Sequence, residues 1–126
     1  MAYKTKQIKG KGRGKLLGYP TINLEIPASF SREEGIYAGW VWIGKKQFKG
    51  AFHYGPVPTF HEKDKSLEVF LINALEKDLE RSEIMTIEFE LIERIRDIIE
   101  FSNSDNLSKQ IGIDIQMINK ILHKGL

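Results

Sequence analysis

From Met85 to Leu91 the apolar residues Met85, Ile87, Phe89 and Leu91 alternate with Thr86, Glu88 and Glu90. A period of two gives an extended strand one dry face and one wet face. Upstream, short runs rich in β-branched and aromatic residues recur between Gly, Pro, Asn and Asp punctuation. They predict strands near Thr5–Lys9, Ile22–Ile26, Ile36–Ile43, Gln47–Tyr54, Leu67–Ala74 and Ile84–Ile92. Gly44-Lys45, between the third and fourth, suits a hairpin turn, because glycine supplies the positive φ. The period then changes. Leu107, Ile111, Ile115, Ile118 and Leu122 recur at steps of three or four, which predicts an amphipathic helix beginning after Ser104 or Asp105 and ending before Gly125. Gly112 inside it costs ~1 kcal/mol against alanine, so this helix leans on packing. Six short strands and one closing helix predict an all-β fold, a small antiparallel barrel with a C-terminal helix packed on it.

Composition narrows the class. A chain of 126 residues predicts a single domain over 1–126, with the barrel over about 3–101 and the helix over about 104–124. With 41% hydrophobic and 29% charged residues it is too apolar for disorder. The absence of cysteine excludes disulfides, thiolate zinc sites, iron–sulfur clusters and cysteine nucleophiles. His53, His61 and His123 lie far apart and form no local metal motif. No apolar run approaches the ~20 residues of a membrane helix, and the basic start lacks the apolar core of a signal peptide. A cytoplasmic protein without membrane contact is expected. The net charge of +2 hides an asymmetry: residues 1–15 carry Lys4, Lys6, Lys9, Lys11, Arg13 and Lys15 and no acid. Such a cluster calls for nucleic acid, phosphate or an acidic surface, and a solvated basic arm satisfies it equally well.

Candidate chemistry lies at five places. Gly10-Lys11-Gly12-Arg13-Gly14-Lys15 can turn backbone N–H groups toward phosphate. It is neither a Walker A loop, since Leu16 stands where Ser or Thr must bind magnesium, nor a dinucleotide fingerprint, since Leu17 replaces the last glycine. In Pro20-Thr21-Ile22-Asn23, an inward Ile22 sends Thr21 and Asn23 to the other face. A hydroxyl beside an amide carbonyl is a neutral oxygen pair of the kind magnesium accepts with water and phosphate; a polar strand face is the plain alternative. Ser66-Leu67-Glu68-Val69-Phe70-Leu71-Ile72 has apolar residues on both faces, so Glu68 sits mid-strand where a carboxylate loses hydration, unless the strand is an edge reaching solvent. Gly55-Pro56-Val57-Pro58-Thr59-Phe60 is a rigid turn presenting an aromatic ring, either a clamp for a planar ligand or a barrel corner. Arg96, with Phe101 five residues on, sits between the last strand and the helix.

In order and spacing these pieces resemble the riboflavin kinase family. The family pattern of G-x-G-R-G, L-G-x-P-T-x-N, G-x-Y-x, G-x-x-P-T-F, a strand glutamate, arginine before phenylalanine, and helical Q-I-x-x-D stands here as Gly10–Gly14, Leu17–Asn23, Gly35–Ala38, Gly55–Phe60, Glu68, Arg96 with Phe101, and Gln110–Asp114. The resemblance implies a six-stranded Greek-key barrel that moves the γ-phosphoryl group of ATP to the 5′-hydroxyl of riboflavin, giving FMN and ADP. It implies Gly10, Gly12, Lys15 and Thr21 at the nucleotide, Thr21 and Asn23 on Mg2+ or another divalent cation, and Glu68 as general base. It implies Thr59, Arg96 and Phe101 at the flavin, with Arg96 on a loop closing over it. Three departures stand out: Phe70 where the family often has histidine, Asp78-Leu79-Glu80-Arg81 where it has an aromatic-glycine pair, and Glu100 where it often has lysine. Bacterial relatives are commonly fused to an adenylyltransferase domain; at this length only the kinase step is expected. A monomer taking small-molecule substrates and no nucleic acid is expected as well. The alternatives are a catalytically weak flavin- or nucleotide-binding relative and a small barrel gripping single-stranded nucleic acid through the basic arm and Tyr3, Phe52, Tyr54 and Phe60.

Overall fold

The computed structural model describes residues 2–9, 18–61, 63–79 and 86–123. Its strands are β1 (Ala2–Ile8), β2 (Thr21–Leu24), β3 (Gly35–Ile43), β4 (Lys46–Gly55), β5 (Ser66–Leu71) and β6 (Thr86–Arg96). They close into an antiparallel barrel in the order β1-β2-β5-β4-β3-β6. Strands β3, β4 and β5 follow one another as neighbours, and β6 returns beside β3, which is the Greek-key order. The β3–β4 hairpin turns at Gly44, whose φ is 60°. A short helix, α1 (Glu76–Leu79), precedes β6, and the long helix α2 (Ser104–His123) follows it.

Alternation sorts the side chains. Ile22, Leu24, Val41, Phe52, Val69 and Phe89 point into the barrel and are buried. The rings of Phe52 and Phe89 lie 5.4 Å apart, and Tyr3 stacks on Phe89 at 5.1 Å. Phe30, from the β2–β3 connection, adds an edge contact to Tyr54 at 4.7 Å. Opposite one another in the β3–β4 register, Gly39 and Gly50 make room for Phe52: a Cβ on either would come within 2.8 Å of its ring.

Several boundaries differ from the sequence reading. Strand β1 begins at Ala2, because Tyr3 already faces the core. Strand β5 stops at Leu71, where the chain turns. Strand β6 continues to Arg96, and register shifts between Ile36 and Tyr37 and between Ala38 and Gly39 break its alternation. Helix α2 is capped by Asn103, whose Oδ1 accepts the Asn106 N–H at 2.9 Å. Its buried stripe runs through Asp114, Ile118 and Leu122, so Asp114 takes the place assigned to Ile115. Ile118 and Leu122 pack on Ala38 and Trp40 of β3 and Ala51 of β4, on the outside of the barrel. Each such side chain contributes about 1.5–3 kcal/mol on burial. Gly112 has a packing reason: a Cβ there would lie 3.1 Å from the Tyr19 hydroxyl.

Candidate active site

The register lines up one polar row on the outer face of the barrel. Asn23 on β2 stands opposite Glu68 on β5, Glu68 opposite His53 on β4, His53 opposite Ile36 on β3, and Ile36 opposite Arg96 on β6. Thr21, two residues before Asn23, shares its face. Thr21 Oγ1 lies 3.4 Å from Glu68 Oε1, and Ser66 Oγ lies 3.4 Å from Oε2. Glu68 is buried, with 8% of its surface exposed, so the solvent-reaching edge position is overturned.

A cleft of about 810 Å³, open mouth included, covers this row from Glu68 to Arg96 and reaches Thr21, while Asn23 stands outside its lining. Its walls come from the turn over Val57–Phe60, the segment from Ile98 to Phe101, and Leu107 and Ile111 of α2. Thr59 and Phe101, both expected at a flavin, meet each other: the Phe101 backbone N–H donates to Thr59 Oγ1 at 3.0 Å. Phe70 lines the cleft, and its ring meets that of Tyr19 nearly at right angles with centroids 5.5 Å apart.

Arg96 is the last residue of β6, not a loop residue. Asp114 holds it: Nε donates to Oδ1 and Oδ2 at 2.9 and 3.1 Å, and Nη2 donates to Oδ2 at 2.7 Å. Gln110 Nε2 donates to Oδ1 at 3.0 Å, and Arg96 Nη1 donates to the Asp97 carbonyl at 2.9 Å. The guanidinium plane fits the carboxylate bidentately, which fixes its direction as well as its charge.

His53 was not singled out as functional from the sequence. Its Nε2 donates to the carbonyls of Gly55 and Pro56 at 3.1 and 3.0 Å. Burial pushes its pKa below the ordinary histidine value, and the neighbouring Glu68 charge only partly opposes that. Asp114 was also missed by the apolar pattern, although a helix residue at an i+4 step before Ile118 carries the signal.

The side-chain oxygens of Thr21 and Asn23 are hard neutral donors on one face of β2, a pair that fits magnesium when water and phosphate complete the shell, with Glu68 across from Asn23 on β5. Among the described residues no three His, Cys, Asp or Glu side chains form a metal cluster. Gly10, Gly12 and Lys15 lie outside the described residues, as do Glu80 and Arg81. Asp78 accepts from Lys46 Nζ at 2.7 Å and from the Leu75 N–H at 2.9 Å, and Glu100 is exposed.

Comparison with known proteins finds relatives of this chain. The family model described as Flavokinase: Riboflavin kinase matches residues 1–122. A bifunctional riboflavin kinase/FMN phosphatase of Arabidopsis thaliana is 32% identical over 121 residues, covering 91% of this chain and 31% of its own length. An RNA-binding riboflavin kinase, RibR, of Bacillus subtilis is 30% identical over 114 residues, covering 90% of this chain and 47% of its own. The chain thus spans under half the length of these relatives. A crystal structure titled as a macrolide-efflux protein from Streptococcus pneumoniae superposes with a TM-score of 0.78 at 24% identity, over 94% of this chain and 38% of that one, a likeness of fold alone.

Proposed function

Because this chain belongs to the riboflavin kinase family, we propose that it transfers the γ-phosphoryl group of ATP to the 5′-hydroxyl of riboflavin, releasing FMN and ADP. The observation that carries this reading is the meeting of Thr21 and Glu68 in the cleft, with Asn23 directly across from Glu68 in the β2–β5 register. Phosphoryl transfer asks little covalent work of a protein; it asks for alignment of the two oxygens about phosphorus and for neutralised charge. Glu68 accepts the proton of the 5′-hydroxyl as the new P–O bond forms and the bond to ADP breaks. Thr21 and Asn23 would hold a divalent cation, which when bound neutralises phosphate charge. The apolar walls from Phe60 and Phe101 suit the flavin ring, with the Arg96 guanidinium at their margin. By family resemblance Gly10, Gly12 and Lys15 serve the nucleotide phosphates.

We further propose that the chain works as one cytoplasmic domain and as a monomer, without nucleic acid. Among the described residues no helix is long and apolar enough to cross a membrane. Two lysines of the basic arm already face acids: Lys4 stands opposite Glu88, and Lys6 Nζ lies 4.0 Å from Glu25. That weakens a continuous cationic track for RNA.

The test is incubation with riboflavin, ATP and magnesium, with FMN measured by chromatography. Under single-turnover conditions at saturation, Glu68→Gln is expected to make FMN at least about tenfold more slowly while still quenching riboflavin fluorescence. Turnover at the wild-type rate would make Glu68 a structural acid and end this mechanism.

A further inference from the structure

His53 is a polar group of the cleft to which the proposed reaction gives no task. Its ring is held by a turn with little freedom. Gly55 has a φ of 133°, which side chains other than hydrogen rarely tolerate, and Ile98 Cδ1 occupies the place a Cβ would take. The carbonyls of Gly55 and Pro56 that face Nε2 can only accept, so Nε2 carries the ring proton. The neutral ring then bears a lone pair on Nδ1, and Nδ1 has no hydrogen-bond partner among the described residues. The fold therefore imposes one tautomer, and the ring lines the same cleft as Glu68.

The register makes His53 and Glu68 direct cross-strand neighbours. Side chains so placed have Cβ atoms ~4.5–5.5 Å apart. A carboxylate and an imidazole lone pair are both acceptors, and two acceptors side by side select a ligand with two adjacent donors. A chain bearing neighbouring hydroxyls is such a ligand; a flavin ring system without one is not. We propose that His53 is a specificity-determining residue whose Nδ1 accepts a hydrogen bond from the hydroxyl next to the one that gives its proton to Glu68, so that the site reads adjacent hydroxyls of a polyol chain. This rests on the kinase reading above. Arg96 of β6 and Asp114 of α2, which line the same cleft, pair with each other.

Two substitutions separate this role from a merely structural one. His53→Gln places an amide N–H near the position of Nε2, so the tie to the turn survives while the acceptor at Nδ1 is lost. His53→Asn places an amide oxygen near Nδ1 and loses the tie. The expected result is a fall of about tenfold in kcat/KM for riboflavin in His53→Gln, the worth of one hydrogen bond, with the KM for ATP unchanged. His53→Asn should partly rescue that loss, even if it melts at a lower temperature. Fluorescence-quenching titrations should show weaker riboflavin binding in His53→Gln, but wild-type binding of lumiflavin, which has the ring system and no polyol chain. The reverse ranking of the two variants, or equal weakening for riboflavin and lumiflavin, would overturn the proposal and make His53 a turn anchor. If the wild type forms FMN and His53→Gln matches it, the role of His53 alone falls. If the wild type forms no FMN, the kinase reading falls, and the hydroxyl-reading role falls with it.

Discussion

Replacing Asp114 by asparagine tests what holds the cleft together. The side chains of Arg96 and Asp114 are 15% and 7% exposed and share three hydrogen bonds of 2.7–3.1 Å. The asparagine keeps the shape but removes the charge, leaving a buried guanidinium with the Asp97 carbonyl and one amide oxygen. Breaking a buried ion pair from one side typically costs about 3–5 kcal/mol. Arg96 keeps some contact with water and one backbone acceptor, so the cost falls at or just below the lower end, about 2–3 kcal/mol. At about 3–5 °C per kcal/mol for a chain of this size, Tm should drop by roughly 10 °C. Urea unfolding followed by circular dichroism gives the free energy, and calorimetry gives the Tm. The double variant Arg96→Met/Asp114→Leu should return to near wild-type stability, because no charge is then left buried, while FMN formation stays impaired. An Asp114→Asn protein within about 0.5 kcal/mol of wild type would refute the reasoning, as would a double variant as unstable as the single one.

Three further outcomes are expected. Thr21→Ala and Asn23→Ala should each shift activity to higher magnesium concentration with unchanged circular dichroism; wild-type magnesium dependence in both would remove the metal from this pair. Lys15→Ala should raise the KM for ATP more than that for riboflavin, whereas an equal rise in both would mean that the loop acts only through order. Burial lowers the folded-state pKa of His53 below the ~6.5 of the unfolded chain. The unfolded state therefore binds this proton first as pH falls, and Tm should hold above pH ~6.5 and decline below it. In His53→Gln that part of the decline should vanish, and an unchanged slope would contradict the burial of the ring.

Much of this architecture is legible because the barrel obeys a period of two and the helix a period near four. Strands β3 and β4 were found almost to the residue, since β4 alternates and β3 is a continuous apolar and aromatic run ending at the Gly44 turn. The end of β6 was missed because bulges change which residues face inward, and bulges arise from pairing with β3 rather than from the sequence of β6 itself. Asp114, visible only within the Gln110–Asp114 motif, was hidden as a member of the buried stripe for a related reason. A carboxylate on a buried stripe is unfavourable until its partner is known, and Arg96 lies 18 residues away. Thr21 and Asn23 were legible as a pair by their shared strand face, but their meeting with Glu68 was not legible from the residue pattern, because only the β2–β5 pairing makes them neighbours. His53 gave no local signal at all; its interest comes from lying across from Glu68.

The placement of the cleft follows from the filling of the barrel. Phe52 lies against Gly39 and Gly50, and Phe89 and Tyr3 continue the stack, so the interior is occupied by side chains. A polar row must therefore stand on the outer face, where open water would screen its charges and compete for its hydrogen bonds. Only a cover makes such a row useful for chemistry. The C-terminal half of α2 supplies the attachment, with Ile118 and Leu122 buried on β3 and β4. Its N-terminal half supplies the cover, with Leu107 and Ile111 in the cleft wall. Arg96 and Asp114 join at the boundary between the two halves, one the end of the polar row and the other the first buried residue of the helix stripe. A hydrophobic contact there could hold the helix as firmly, but it would not fix its register against the row. A bidentate pair does, since the planar guanidinium meets the carboxylate in one geometry. The ion pair is thus better understood as a device for placing the wall over Glu68 than as a source of net stability.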